Sequence, residues 1–150
     1  MRFGSAGWPA MEPSPRPKSI VLIDDHVLLR QGLERLLNAT DEFVVADEAG
    51  TAAEGRNVVR DARPDAVIVD VDLPDGDGIE LTRELVDEIP GIIVLVLSMH
   101  EEMEYAVRAM QAGARGYIMK NEAIDTLCNA LREVFNGRRL FSTNVLEGTV

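Results

Sequence analysis

Residues 64–78 read PDAVIVDVDLPDGDG, and the way this stretch changes character halfway along decides the fold. AVIV (66–69) is a short, wholly apolar run of strand length, as expected for a strand buried on both faces. It ends at Asp70. Asp72, Asp75 and Asp77 follow within a turn-forming segment that contains Pro74 and Gly76. A buried strand therefore delivers a carboxylate to its C-terminal end and then turns.

The same pattern recurs on both sides. SIVLI (19–23) ends at Asp24, Asp25 and His26, IIVLVL (92–97) ends at Ser98, and GYIM (116–119) ends at Lys120. FVVADEA (43–49) reads as a further strand. Between the strands, apolar residues recur at helical spacing: Leu29, Leu33, Leu36 and Leu37; Leu81, Leu85 and Ile89, closed by Pro90; Met103, Ala106, Val107 and Met110, stopped at Gly113; Ile124, Leu127, Cys128, Leu131, Val134 and Phe135. Thr51 with Glu54 predicts a capping box opening a helix that runs to about Ala62, weakened by Gly55 and Asn57. Five alternations of strand and helix predict a parallel sheet covered on both faces. In such open sheets ligands bind at the carboxyl ends of the strands, where the strand order switches. Asp24, Asp25, Asp70, Ser98 and Lys120 all fall on that rim.

Three carboxylates, a hydroxyl and an ammonium suit a hard cation and a phosphoryl group. Magnesium keeps several waters and asks for only a few oxygen ligands. Without a cation, a like-charge pair about 4 Å apart costs roughly 4 kcal/mol at an effective dielectric near 20. An aspartate can itself be the nucleophile and form an aspartyl phosphate.

The stretches VLIDDHVLLRQGL, PDAVIVDVDLPDGDGIEL and VLVLSMHEEMEYAVRAMQAGARGYIMK, with the final helix, resemble the receiver domain of bacterial two-component response regulators, and in particular the NarL/FixJ (LuxR-type) subfamily. The resemblance spans about residues 18–140. It implies a flavodoxin-like, doubly wound α/β fold: a five-stranded parallel sheet in the order 2-1-3-4-5 with helices on both faces. It also implies a phosphorylation switch. Asp70 is then the acceptor of a phosphoryl group from a sensor histidine kinase. Asp25, Asp70 and the backbone carbonyl of Asp72 hold Mg²⁺, with Asp24 assisting through water. Lys120 pairs with the carboxylate and then the phosphoryl group, the Ser98 hydroxyl moves to a phosphoryl oxygen, and Tyr117 follows it inward. The subfamily further implies a homodimer through the first and fifth helices, and a helix-turn-helix DNA-binding domain after the receiver.

Length and composition agree with these expectations. The 150 residues suffice for one domain, and 46% hydrophobic with 27% charged residues is globular usage. A net charge of −11 argues against this segment clamping nucleic acid by itself. Cys128 is the single cysteine, which excludes an internal disulfide and fits a reducing, cytoplasmic compartment. No apolar run reaches the ~18 residues of a membrane helix.

Residues 1–17, with Trp8, are rich in Pro, Gly and Ser and read as a disordered tail. Met11 is a candidate natural start, which would make residues 1–10 tag-derived. Residues 141–150 read as the start of a linker or tail, with NGRRLFSTNV similar to the subfamily's linker entry. His26 and His100 are read as exposed rather than ligating, because hard Mg²⁺ does not seek imidazole. Cys128, Met103 and Met110 are read as core, Asp75 and Asp77 as solvated loop charges, and Gly78 as a point of close backbone approach.

Two other functions compete. DVDLPDG resembles the nucleophile loop of haloacid-dehalogenase-type phosphatases, but Leu73 and Pro74 stand where that family has Gly and Thr. A receiver that is never phosphorylated, a pseudo-receiver acting only as an interaction module, would keep the fold. The completeness of the rim favours a signalling domain that catalyses at most its own phosphorylation and dephosphorylation, and so is not otherwise an enzyme.

Overall fold

The computed structural model describes residues 16–142. The expectations for residues 1–15, Trp8 among them, and for residues 143–150 lie outside the described residues. Five strands, β1 (Lys18–Ile23), β2 (Phe43–Ala49), β3 (Ala66–Asp70), β4 (Ile93–Ser98) and β5 (Gly116–Met119), form one parallel sheet in the order 2-1-3-4-5. Helices α1 (Val27–Asn38), α2 (Ala52–Ala62), α3 (Gly78–Glu88), α4 (Met103–Gln111) and α5 (Ala123–Phe135) connect them.

Side chains alternate across a strand, so each central strand feeds two cores. Val21, Ile23, Val67, Val69, Val94 and Val96 pack under α2, α3 and α4 with Val59, Leu81, Leu85 and Ala109. Ile20, Leu22, Ile68, Leu95 and Leu97 point the other way, against Leu33, Leu37, Leu127 and Leu131 of α1 and α5. Cys128 packs at the margin of this second layer, as expected. Register then sets the rim: Ile23 lies opposite Val69, Asp70 opposite Leu97, and Ser98 opposite Met119.

Several local readings change. The Thr51 hydroxyl accepts from Glu54 N at 3.1 Å, but the reciprocal bond of the expected capping box goes to Gly50 N at 3.2 Å. Gly55 is more than a weak helix residue, because a Cβ there would come within 2.7 Å of Ile23 Cδ1 and hold α2 off β1. Asp75 and Asp77 are not free loop charges. Asp75 accepts from the Ala52 and Ala53 amides at 2.7 and 3.1 Å, capping α2 from a distant loop. Asp77 caps α3 through Ile79 N at 2.8 Å and pairs with Arg108 at 2.6 Å. Both satisfy amides that a helix start leaves open.

The segment after α5 returns to the sheet. Leu140 N donates to Arg115 O at 2.8 Å and Tyr117 N donates to Leu140 O at 3.1 Å, so Leu140 bridges to the free edge of β5. Phe141 packs against Ala106 and Val107, as does Tyr117.

Candidate functional site

The carboxyl ends of β1, β3, β4 and β5 gather the polar groups. Asp70 and Asp24 are only 1% and 2% exposed, and Ser98 and Lys120 are buried beside them. Lys120 enters from the end of β5, where a short 3₁₀ turn (Lys120–Glu122) leads into α5. Its ammonium stands 2.7 Å from Asp70 Oδ2 and 3.1 Å from Asp24 Oδ2. Two buried carboxylates thus share one cation, which leaves a net negative pocket.

Burial pushes the Asp70 carboxyl up to about 6; the Lys120 hydrogen bond opposes this, and the Asp24 charge adds to it. The folded value lies above the ordinary 3.8, so folding favours the protonated acid. The stability Asp70 gives is full below 3.8 and is lost as pH rises through about 6. At neutral pH the site is therefore strained electrostatically, in the direction that a bound cation would relieve.

The chemistry of the donors fits such an ion. One ligand atom from each of Asp24, Asp25, His26 and Asp70 lies within 4.8 Å of the others. Asp24 Oδ2 is the one buried side-chain oxygen or nitrogen, among the described residues, without a hydrogen-bond partner. It is near Lys120 but outside a hydrogen-bonding direction. The Lys120 ammonium offsets part of its charge from 3.1 Å, but a buried carboxylate oxygen without a hydrogen bond remains costly and is open to a further cation.

Neighbouring residues fix this arrangement. The Arg30 guanidinium of α1 donates to Asp24 O at 2.5 Å and to Glu48 at 2.9 Å, which ties the acidic loop to the end of β2. Asp72 N donates to Asp70 Oδ1 at 3.1 Å. Gly78 N donates to Val71 O at 2.8 Å, and the close approach expected of Gly78 is present: a Cβ there would sit 1.9 Å from Asp70 O.

Ser98 and Tyr117 meet at one residue. His100 N donates to Ser98 Oγ at 2.8 Å, and the Tyr117 hydroxyl donates to His100 O at 2.7 Å. Burial pushes the Tyr117 phenol up, which keeps it an O–H donor. The His100 ring stacks on Tyr105 at 4.0 Å, and its Nε2 lies 2.8 Å from Asp72 Oδ2.

The structure therefore brings Asp24, Asp25, Asp70, Asp72, Ser98, Lys120 and Tyr117 to one rim. It also brings two residues that the sequence reading set aside. His26 Nδ1 lies 3.0 Å from Asp24 and 2.5 Å from Lys120 Nζ. His100 bridges the loops after β3 and β4. Both rings are partly exposed, yet their working nitrogens face the site. His26 adjoined the acidic pair in sequence, which was the available signal; nothing in sequence pairs His100 with Asp72.

Comparison with known proteins places this geometry. Residues 20–132 match the family profile of the response regulator receiver domain. The chain is 42% identical over 121 residues to the DNA-binding transcriptional activator DevR/DosR of Mycobacterium tuberculosis, covering 81% of this chain and 56% of that protein. It is 35% identical to the oxygen regulatory protein NreC of Staphylococcus carnosus, covering 79% of this chain and 55% of the relative. The chain thus spans little more than half the length of these relatives. Among solved structures, a LuxR-family two-component response regulator from Aurantimonas sp. SI85-9A1 superposes with a TM-score of 0.79 at 33% identity, covering 87% of this chain and 94% of the other.

Proposed function

Because the chain belongs to the response regulator receiver domain family, we propose that it is a phosphoacceptor switch whose nucleophile is Asp70. The observation that carries this reading is the buried Asp70 carboxylate held 2.7 Å from Lys120 and beside the orphaned Asp24 oxygen. A carboxylate oxygen of Asp70 attacks phosphorus on a phosphohistidine of a sensor kinase. The P–N bond breaks as the O–P bond forms, and the imidazole leaves with its electron pair. Positioning and charge neutralisation are most of what such a transfer needs.

Asp24, Asp25, Asp70 and the Asp72 carbonyl would hold Mg²⁺, which when bound offsets the charge between these carboxylates and the phosphoryl oxygens. Lys120 neutralises from the opposite side and remains paired with the product. The Ser98 hydroxyl, now bonded to His100 N, turns to a phosphoryl oxygen. That releases one of the two bonds by which Ser98 and Tyr117 grip His100, so the loop after β4 shifts and Tyr117 moves with it. A local charge change thereby biases a two-state surface.

By likeness to relatives such as the DNA-binding transcriptional activator DevR/DosR, this surface would serve transcription control through a DNA-binding domain. Val27, Leu28 and Ile124, exposed at the neighbouring starts of α1 and α5, support pairing of two copies there.

Incubation with acetyl phosphate followed by intact-mass measurement tests the reading. One phosphoryl group is expected on the wild type with Mg²⁺, and none with Asp70→Asn or with EDTA. No adduct and no Mg²⁺-dependent release of inorganic phosphate would favour the pseudo-receiver instead.

The Asp70 proton adds a pH signature. Below about 6 the cation must displace that proton, so Mg²⁺ affinity is expected to fall up to about tenfold per pH unit. Calorimetry at pH 5 in two buffers of different ionisation enthalpy should report about one proton released per ion, and at pH 8 none.

A further inference from the structure

We propose that the segment after α5, residues 138–142, is an autoinhibitory strap. Docked on α4 and on the free edge of β5, it holds Tyr117 in the unphosphorylated arrangement and comes loose when Asp70 is phosphorylated. The proposal rests on the phosphoacceptor reading and adds to it the route by which the switch leaves the domain.

Successive contacts seat the strap. Gly137 N donates to Val134 O at 3.0 Å and Arg138 pairs with Glu133, which anchors the root on α5. Leu140 then bridges in parallel to Gly116, with its backbone bonds going to Arg115 and Tyr117. Gly116 leaves room for this approach, since a Cβ there would come within 3.0 Å of Leu140 Cβ. Phe141 follows and rests on Ala106 and Val107 of α4, with the Arg139 guanidinium 5.9 Å from its ring centre.

The seat is built from the parts that the switch moves. Phe141 and Ser142 share a cavity of about 300 Å³ with Glu101, Met103, Ala106 and Tyr117. Glu101 lies in the loop after β4, Met103 opens α4, and Tyr117 is held by its hydroxyl bond to His100 O at 2.7 Å. Tyr117 also rests on Ala106 and Val107, the two residues that carry Phe141, and its backbone N–H donates to Leu140 O. When Ser98 turns to the phosphoryl group and the loop shifts, Tyr117 leaves that shared wall. Phe141 then loses apolar cover on one side, and the two backbone bonds at the sheet edge are left to compete with water. Coupling between sites is reciprocal. A strap that fits only the resting arrangement stabilises that arrangement, and so weakens binding of a phosphoryl group at Asp70.

The test uses the whole chain with Mg²⁺ and BeF₃⁻, a stable mimic of the phosphoryl group. Hydrogen exchange followed by NMR should show the Tyr117 and Leu140 amides exchanging about tenfold faster in the BeF₃⁻ form, with the Val96 amide of β4 unchanged, as local opening requires. Phe141→Ala removes the anchor and should bind BeF₃⁻ about fivefold more tightly in a ¹⁹F NMR titration, within the usual range of coupling between sites. The wild-type exchange needs no variant, so a folding defect in Phe141→Ala leaves the test intact. Equal or slower exchange of the two amides in the BeF₃⁻ form, or unchanged or weaker BeF₃⁻ binding by a folded Phe141→Ala, overturns the strap while BeF₃⁻ binding still supports the phosphoacceptor reading. If BeF₃⁻ does not bind the wild type, both readings fall.

Discussion

Gly78→Ala is expected to destabilise the domain by about 3 kcal/mol, at the upper end of overpacking costs, and to cost the remaining folded protein most of its acetyl phosphate labelling. The new Cβ would lie 1.9 Å from the Asp70 carbonyl oxygen and 2.8 Å from its carbon. Both are backbone atoms, so no side chain can rotate away. Either α3 withdraws from β3, breaking the Gly78 N to Val71 O bond, or the end of β3 moves and carries Asp70 with it. Gly76→Ala is the matched control, since its Cβ would meet nothing nearer than 3.7 Å. Urea unfolding of the two variants measures the difference. A Gly78→Ala loss below about 1 kcal/mol, within the range of ordinary surface changes, would mean that β3 and α3 are loosely coupled.

Gly78 also marks how far sequence reasoning reaches. Its need for close approach follows from a glycine placed after a strand end and a turn, which is local information. So is the rim itself: four short apolar runs ending in polar residues put Asp24, Asp25, Asp70, Ser98 and Lys120 together once the strands are parallel. What sequence did not reveal depends on pairings between distant residues. Asp75 caps a helix that starts 23 positions earlier. Arg108 reaches back 31 positions to Asp77. His100 finds Asp72 only because adjacent strands end level. The Leu140 bridge required knowing that β5 is an edge strand with unpaired backbone groups to cover. His26 is half exposed, as its place at the helix start suggested, yet its Nδ1 faces Asp24 and Lys120, which the sequence did not reveal.

Lys120→Met should have the other large effect, because it keeps the stem and removes the charge. Asp24 and Asp70 would then face each other, buried, with no cation between them. Removing one partner of a buried pair costs about 3–5 kcal/mol, and that loss is expected at pH 7.5 in EDTA. The pH dependence separates charge from packing. The Lys120 hydrogen bond lowers the Asp70 pKa, so without it the folded value climbs further above the ordinary 3.8. A raised carboxyl contributes its stability at low pH and loses it as pH rises through the raised value. The deficit relative to wild type should therefore shrink as pH falls toward 5, and shrink again at pH 7.5 when Asp24→Asn is added. Thermal unfolding of the wild type, Lys120→Met, Asp24→Asn and the double variant across pH 5–8 decides between the causes. A deficit constant over that range, and unchanged by Asp24→Asn, would show that Lys120 acts through its buried methylenes rather than its charge.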